Sequence, residues 1–356
     1  MINAAVDLID TIPGYRLTEQ LYSGSRTLVF RAIREIDQHR VVIKLLKREY
    51  PSFSELLQFR NQYIIAKNLS LAGAVAPYSL ETYRNSYALV MEDFGGVSLK
   101  EYALTHALAL DEFLEIALQL SDILNGLYRN RVIHKDLKPV NILINPETKQ
   151  VKLIDFSISS LLPRETYTTQ NPNGLEGTLA YLSPEQTGRM NRGIDYRSDF
   201  YSLGVTFFEL LTGQLPWTSG DPMELVHCHV AKQPPTVHSL NPKIPLVLSN
   251  IVTKLMAKNA EERYQNVLGL KHDLERCLQQ LQDGKIELFE LGQRDICDRF
   301  LISEKLYGRQ TEVETLLTAF ERVSQGRSEM MLVAGFSGIG KTAVVSEVHK
   351  PIVRQR

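Results

Sequence analysis

Apolar and β-branched residues crowd residues 15 to 47 in three short runs, "YRLTEQL", "TLVFRAI" and "RVVIKLL". The turn-formers Ser23-Gly24-Ser25 and Asp37-Gln38-His39 separate them, so three strands are predicted. The spacing then lengthens. From Ser54 to Leu71 the apolar positions Leu56, Phe59, Tyr63, Ala66 and Leu69 recur every three to four residues, which predicts an amphipathic helix. "SYALVMEDF" returns to strand. Beyond Leu99 helical spacing dominates: "DEFLEIALQLSDILNGLYRN" opens on an aspartate with acids in its first turn, and "SDFYSLGVTFFELLTG" ends on Gly213, a C-capping glycine. Two short runs, "NILI" and "VKLIDF", predict strands inside this helical half. A small sheet-rich part therefore precedes a larger helical one. After about Leu281 the composition changes: "QDGKIELFELGQRDICDRF" reads as a connector, and "SEMMLVAG" predicts a new strand before a glycine-rich turn.

Bulk composition narrows the class without naming a function. The 356 residues suffice for about two domains. At 44% apolar and 23% charged residues the chain is an ordinary globular protein. Forty basic against 41 acidic side chains leave no basic surplus, which argues against a nucleic-acid partner. Cys228, Cys277 and Cys297 are odd in number and far apart, so a disulfide framework is not expected and a reducing compartment fits. His227-Cys228-His229 lacks the paired spacing of a zinc site. No apolar run reaches membrane-helix length and "MINAAVDLID" is no signal peptide, so the expected setting is the cytoplasm, with no membrane partner.

The chemistry concentrates in "VIHKDLKPVNILI", residues 132 to 144. Transfer of a phosphoryl group to a hydroxyl needs a carboxylate to accept or orient the hydroxyl proton, a cation to offset phosphate charge, and oxygen ligands for magnesium. Asp136, Lys138 and Asn141 fit those roles in that order. Fourteen residues further on, Asp155 closes the run "VKLI" and suits a second magnesium ligand. Two stretches compete for that metal role. "MEDFGGVSL" contains a literal Asp-Phe-Gly but precedes the loop, where Asp93 is expected to face adenine or solvent; "LIDFSIS" has the right position with one changed letter. The metal assignment goes to Asp155.

From about Tyr15 to Leu281 the chain resembles a eukaryotic-type Ser/Thr protein kinase domain, motif after motif in that family's order. "VVIK" resembles the third-strand signature, "LVMEDF" the hinge, "HKDLKPVN" the catalytic loop, "GTLAYLSPE" the end of the activation segment and "DFYSLG" the start of the central helix. The resemblance implies an α+β, bilobal kinase fold: a small β-rich N-lobe and a large helical C-lobe. It implies that Lys44 holds the α- and β-phosphates, that Met91 is the gatekeeper, and that Glu92 and Phe94 offer backbone groups to adenine. Leu21, Gly24, Val29 and Leu143 join the nucleotide-binding set. Glu185 is implied to pair with Arg263 and brace the large lobe, and Lys138 with Thr178 marks a Ser/Thr rather than a tyrosine pattern. His134 is implied to support the loop by packing. ATP and Mg2+ are the implied cofactors, and a protein bearing Ser or Thr the implied substrate; self-association is open.

Four positions depart from the family pattern. The phosphate-covering loop, "YSGSRT", keeps only Gly24 of three glycines, with Tyr22 and Thr27 in the other places. The register "FRNQYIIAKNL" offers Gln62 to Lys44 where the family has glutamate, with Glu55 as partner if the register slips two turns. A neutral partner weakens the bond by about 1 kcal/mol, roughly fivefold if felt in the barrier. Ser157 replaces the glycine after Asp155-Phe156, which bears on loop motion. Lys135 replaces an arginine that in the family grips a phosphorylated loop; Thr166, Tyr167, Thr168 and Thr169 lie in that loop. These departures make a pseudokinase-like nucleotide-binding scaffold the alternative to an active kinase.

The end of the chain carries a second signal. "GFSGIGKT", residues 335 to 342, matches the phosphate-binding P-loop, with Gly335, Gly340, Lys341 and Thr342 at its key positions and "AVVSEV" able to start the following helix. "LYGRQTEVETLLTAF" resembles the entry helix of AAA-like ATPases. The arrangement resembles the front of large bacterial signalling proteins that join a kinase domain to an ATPase, sensor modules and a histidine kinase. The expected domains are a kinase at 15–281, a linker at 282–300 and the truncated start of a P-loop α/β ATPase domain at 301–356, in which Lys341 and Thr342 are expected to do nothing in this polypeptide.

Overall fold

The computed structural model describes residues 12–161, 164–165, 178–189, 193–296, 308–336 and 338–346. Thr166, Tyr167, Thr168, Thr169, Cys297 and the side chain of Thr342 lie outside the described residues. The chain forms two compact units, one ending at Leu161 and the other beginning at Leu162. Among the described residues no helix is long and apolar enough to cross a membrane.

The first unit starts with an antiparallel sheet. Its strands are β1 (Tyr15–Ser23), β2 (Thr27–Arg34), β3 (His39–Leu46), β4 (Pro77–Tyr83) and β5 (Ser86–Glu92), in the order β1-β2-β3-β5-β4. Side chains alternate across a strand, so β3 has two different faces. Val41, Ile43 and Leu45 pack with Phe30, Ala32, Ala88 and Val90 on one side. Val42 and Leu46 join Leu89, Met91 and Phe59 on the other, and Lys44 shares their side by period. Phe59 belongs to helix α1 (Phe53–Asn68), whose start is fixed by a capping box in which Ser52 and Glu55 satisfy each other's backbone N–H groups. The helix falls where the apolar spacing predicts it, but its buried line differs. Leu56 and Tyr63 are only half-buried, and Phe59, Gln62, Ile65 and Ala66 form the inner stripe, with a glutamine at its centre.

The chain continues through β6 (Val97–Ser98), α2 (Leu99–Thr105), α3 (Leu110–Arg129), β7 (Ile142–Ile144) and β8 (Val151–Leu153). The three short strands form a second sheet, β6-β7-β8, with Ile142 opposite Leu153. That pairing sets the loop before β7 next to the turn after β8.

In the second unit the strands β9 (Arg164–Glu165) and β10 (Ile194–Asp195) pair ahead of α4 (Arg197–Thr212). Nearly every residue of α4 is buried, its polar side chains included, with Ser198, Ser202 and Thr206 hydrogen-bonded inside, and Gly213 ends it in the left-handed conformation. Helices α5 (Pro222–Val230), α6 (Val237–Leu240), α7 (Leu246–Leu255) and α8 (Val267–Gln282) follow. Among the described residues an ion pair lies in the interior with no exposure on the arginine side: Arg263 reaches Glu185 Oε1 at 2.7 Å and Oε2 at 2.8 Å. Its other donors go to the carbonyls of Ala257, Arg197 and Lys258, and Ser198 donates to Glu185. Every N–H of the guanidinium is used, which is the condition for a buried charge to be tolerated.

The stretch after α8, a connector by composition, is tied down as far as Ile296. Asp295 accepts from the N–H groups of Gln265 and Asn266 at 2.8 Å, Gly292 N–H donates to Asp273 at 2.8 Å, and Asn266 donates to Ile296 O at 3.2 Å. Phe289 lies under Arg276, 4.2 Å from ring centre to guanidinium. Gly269 lets the strap approach: a Cβ there would sit 2.6 Å from Asp295 Cα.

The last described helices are α9 (Gln310–Ser324) and α10 (Lys341–Ser346). "MMLVA" is not a strand, contrary to the sequence expectation. Residues 331–336 have no regular structure, and Met330 and Leu332 are 96% and 89% exposed. A strand ahead of a P-loop is held by parallel neighbours, and no described strand pairs with this stretch.

Truncating Arg263 to alanine leaves Glu185 buried without a counter-ion, so a loss of about 3–5 kcal/mol in urea denaturation is expected, against under about 1 kcal/mol for a merely superficial pair. Burial raises the Glu185 pKa, but Arg263 and Ser198 outweigh it and hold the carboxyl at about 2. A folded value below the unfolded value of about 4.3 means that this stabilisation is complete above that pH. It should fade as pH falls toward 2, and R263A should flatten that part of the acid-denaturation curve.

Candidate active site

Lys44 projects from β3 toward α1 and is 9% exposed. Its ammonium meets Gln62 Oε1 at 2.9 Å and Asp155 Oδ2 at 3.1 Å. The helix register therefore sets Gln62 at the lysine, while Glu55 is engaged in the cap with Ser52. Asp155 follows β8 with φ at 66°, a left-handed conformation costly to a residue with a Cβ. Burial raises its pKa, yet the Lys44 ammonium, and after it the Ser157 hydroxyl, hold the carboxyl at about 2. Its other oxygen, Oδ1, is buried and accepts no hydrogen bond among the described residues.

The loop before β7 brings together the three residues expected from "HKDLKPVN". Lys138 Nζ lies 2.6 Å from Asp136 Oδ2, and Asn141 donates to Asp136 O at 2.8 Å and to Oδ2 at 2.9 Å. Asn141 sits at the end of a 3-10 turn, Pro139–Asn141, and its carbonyl accepts from Ile154 N–H at 2.9 Å. That bond joins the Asp136 loop to the residue before Asp155. His134 is fully buried. Its Nδ1 faces the Asp136 N–H and so must accept, which leaves Nε2 to donate to Ile154 O at 3.1 Å. Phe156 packs edge-on against the same ring. Lys135 is buried and, like Asp155, left-handed, with φ at 68°.

Of the residues expected around a nucleotide, Leu143 and Phe94 pack with Met91, Val29 is half-buried and Leu21 is 40% exposed. Glu92 gives its N–H to Ala76 O, and its carboxylate takes the Lys152 ammonium and the Ala76 N–H. Asp93 does not face open solvent. Its side chain is 8% exposed, bound by Arg31 Nε at 2.8 Å and by the Gly95 N–H at 3.1 Å, since a carboxylate withdrawn from water needs such partners. The loop between β1 and β2 is closed by Gly24 N–H to Thr27 O at 2.9 Å. Tyr22 folds its ring so closely over Gly24 that a Cβ there would lie 2.6 Å from it.

Thr178 belongs to the second unit, where it precedes the 3-10 turn Leu179–Tyr181 and its carbonyl accepts from Tyr181. In the terminal glycine-rich stretch Lys341 folds onto its own loop, bonding Gly335 O at 2.7 Å and Phe336 O at 2.8 Å, with Gly340 left-handed at φ 92°.

One contributor escapes a reading of the sequence, and Ser157, expected to bear on loop motion, has a second effect. Asn61, beside Gln62 on α1, donates to Ser157 O at 3.1 Å and to Ser159 O at 3.0 Å. Ser157 itself acts on the Asp155 carboxyl. The faint signal for Asn61 was an asparagine in mid-helix, a poor helix former with a reason to be there.

Magnesium is a hard cation that takes carboxylate and amide oxygens. Asp155 Oδ1 is a buried carboxylate oxygen with no partner among the described residues, and Asn141, whose Nδ2 donates to Asp136, carries an amide oxygen beside it. The residues present fit such an ion.

The sequence profile of the protein kinase domain matches residues 15–274, and that of the AAA ATPase domain matches residues 305–356. The hybrid signal transduction histidine kinase G of Dictyostelium discoideum is 35% identical over 329 residues, 68% of this chain and 10% of its own length. The serine/threonine-protein kinase PrkC of Bacillus subtilis is 31% identical over 73% of this chain and 40% of its own, and PknB of Mycobacterium tuberculosis 33% over 74% and 42%. The chain thus spans less than half the length of each of these relatives. With a β-rich N-lobe and a helical C-lobe inside the matched range, and an ATPase match beyond it, the chain belongs to the protein kinase domain family.

Proposed function

We propose that the chain transfers the γ-phosphoryl group of ATP to serine or threonine hydroxyls of a protein, in bacterial signal transduction. The observation that carries this reading is the convergence of Lys44 and Asp155 in one contact while Asp136, Lys138 and Asn141 form another, joined through Ile154. In this reading Lys44 binds the α- and β-phosphates, and Asn141 and Asp155 hold Mg2+. The bound ion supplies positive charge against the phosphate oxygens. Asp136 accepts or orients the hydroxyl proton of the substrate. Lys138, beside it, offsets charge on the moving phosphoryl group, and Thr178 assists in the Ser/Thr pattern. Leu21, Gly24, Val29, Met91, Leu143 and the backbone of Glu92 and Phe94 enclose the nucleotide. The reducing interior of a cell suits the buried free thiols of Cys228 and Cys277.

A second reading, a scaffold that binds nucleotide without transfer, is favoured by one feature. Gln62 gives Lys44 a neutral partner, so Asp155 is the carboxylate that offsets the lysine's charge. Incubation with labelled ATP and magnesium separates the readings, because only the kinase labels itself or a generic basic protein.

Asp136→Asn, which keeps the shape and removes the base, should lower incorporation about 10²- to 10⁴-fold. Equal labelling by the wild type and this variant would sink the enzyme reading. Gln62→Glu should raise the turnover rate about fivefold in the same assay, since a charge-assisted bond replaces a neutral one. A drop in rate would mean instead that the new carboxylate draws Lys44 away from the phosphates.

A further inference from the structure

We infer that Asn61 is a positioning residue for the metal-binding carboxylate. The inference rests on the proposed magnesium role of Asp155 and adds a residue to it. An amide nitrogen carries two hydrogens, and Asn61 directs Nδ2 at two carbonyls of one loop, Ser157 O and Ser159 O. Both belong to the turn that begins at Asp155, whose left-handed backbone stays in place only when its surroundings hold it. The far side of the same turn is held separately. Ser159 Oγ donates to His134 O at 3.0 Å, and Ser160 and Ile133 exchange backbone bonds at 3.0 Å. Asn61 supplies the hold from α1, one residue before Gln62 meets Lys44. Two neighbouring α1 side chains thus grip both ends of the Lys44–Asp155 contact: one the lysine, the other the backbone that aims the carboxylate. A shift of α1 releases both together, so the seat of the helix and the aim of the metal ligand are set as one.

The test uses the whole 356-residue chain with Asn61→Ala and Asn61→Asp. The aspartate keeps the shape but turns an acceptor toward two carbonyls. Binding of a non-hydrolysable ATP analogue is followed by calorimetry across a magnesium titration and without magnesium, beside phosphate transfer and the thermal midpoint. Loss of two neutral hydrogen bonds should raise the half-saturating magnesium concentration about tenfold in both variants. Asn61→Asp should be at least as impaired as Asn61→Ala, and magnesium-free binding should change less than twofold. An unchanged magnesium dependence, or equal weakening with and without magnesium, overturns the inference. If the wild type binds the analogue but transfers nothing, the proposed activity falls while the binding titration still decides the role of Asn61.

Discussion

A lysine ammonium withdrawn almost wholly from water needs a carboxylate beside it, and Lys44 finds one in Asp155. Much of the first unit exists to make that contact. β3 must alternate so that Lys44 leaves the sheet on the α1 side. β8 must end two residues before the left-handed Asp155, and Ile142 must pair with Leu153 so that the Asp136 loop lies along that turn. The hydrogen bond from Ile154 to Asn141 carries the alignment from one loop to the other.

Substituting glutamine for a carboxylate on α1 changes the electrostatics of this contact more than its geometry. Gln62 still reaches the ammonium, but it brings no charge. A metal ion taken up at Asp155 would draw on the same carboxylate that neutralises Lys44, so phosphate oxygens must reach the lysine at the same step. On the proposed reading, nucleotide and metal would therefore be more tightly linked than where a second carboxylate shares the lysine. The hydroxyl of Ser157 acts in the same direction as Lys44, favouring the ionised form of Asp155.

What was legible in the sequence was what local pattern encodes. Runs of β-branched residues between turn-formers gave the strands, three-to-four spacing gave α1 and α3, and an apolar stretch closed by glycine gave α4 with its cap at Gly213. The spacing of Asp136, Lys138 and Asn141 likewise foretold that they share one loop. Pairings across long separations were not legible, since no local rule says that Asp93 pairs with Arg31 or that Asn61 reaches Ser157 and Ser159. The apolar run "MMLVA" misled for the complementary reason: a strand needs neighbours, and its own residues cannot supply them.

The strap after α8 bears on where this domain physically stops. Composition places the edge near residue 281, yet the backbone N–H groups of Gln265 and Asn266 are satisfied by Asp295, and Asp273 receives Gly292. A fragment cut at the compositional edge would return these groups to water and leave the hollow above Gly269 unfilled. A recombinant kinase fragment should therefore retain the chain through Ile296, because the solvation of the α8 N-terminus is completed by residues that read as a spacer.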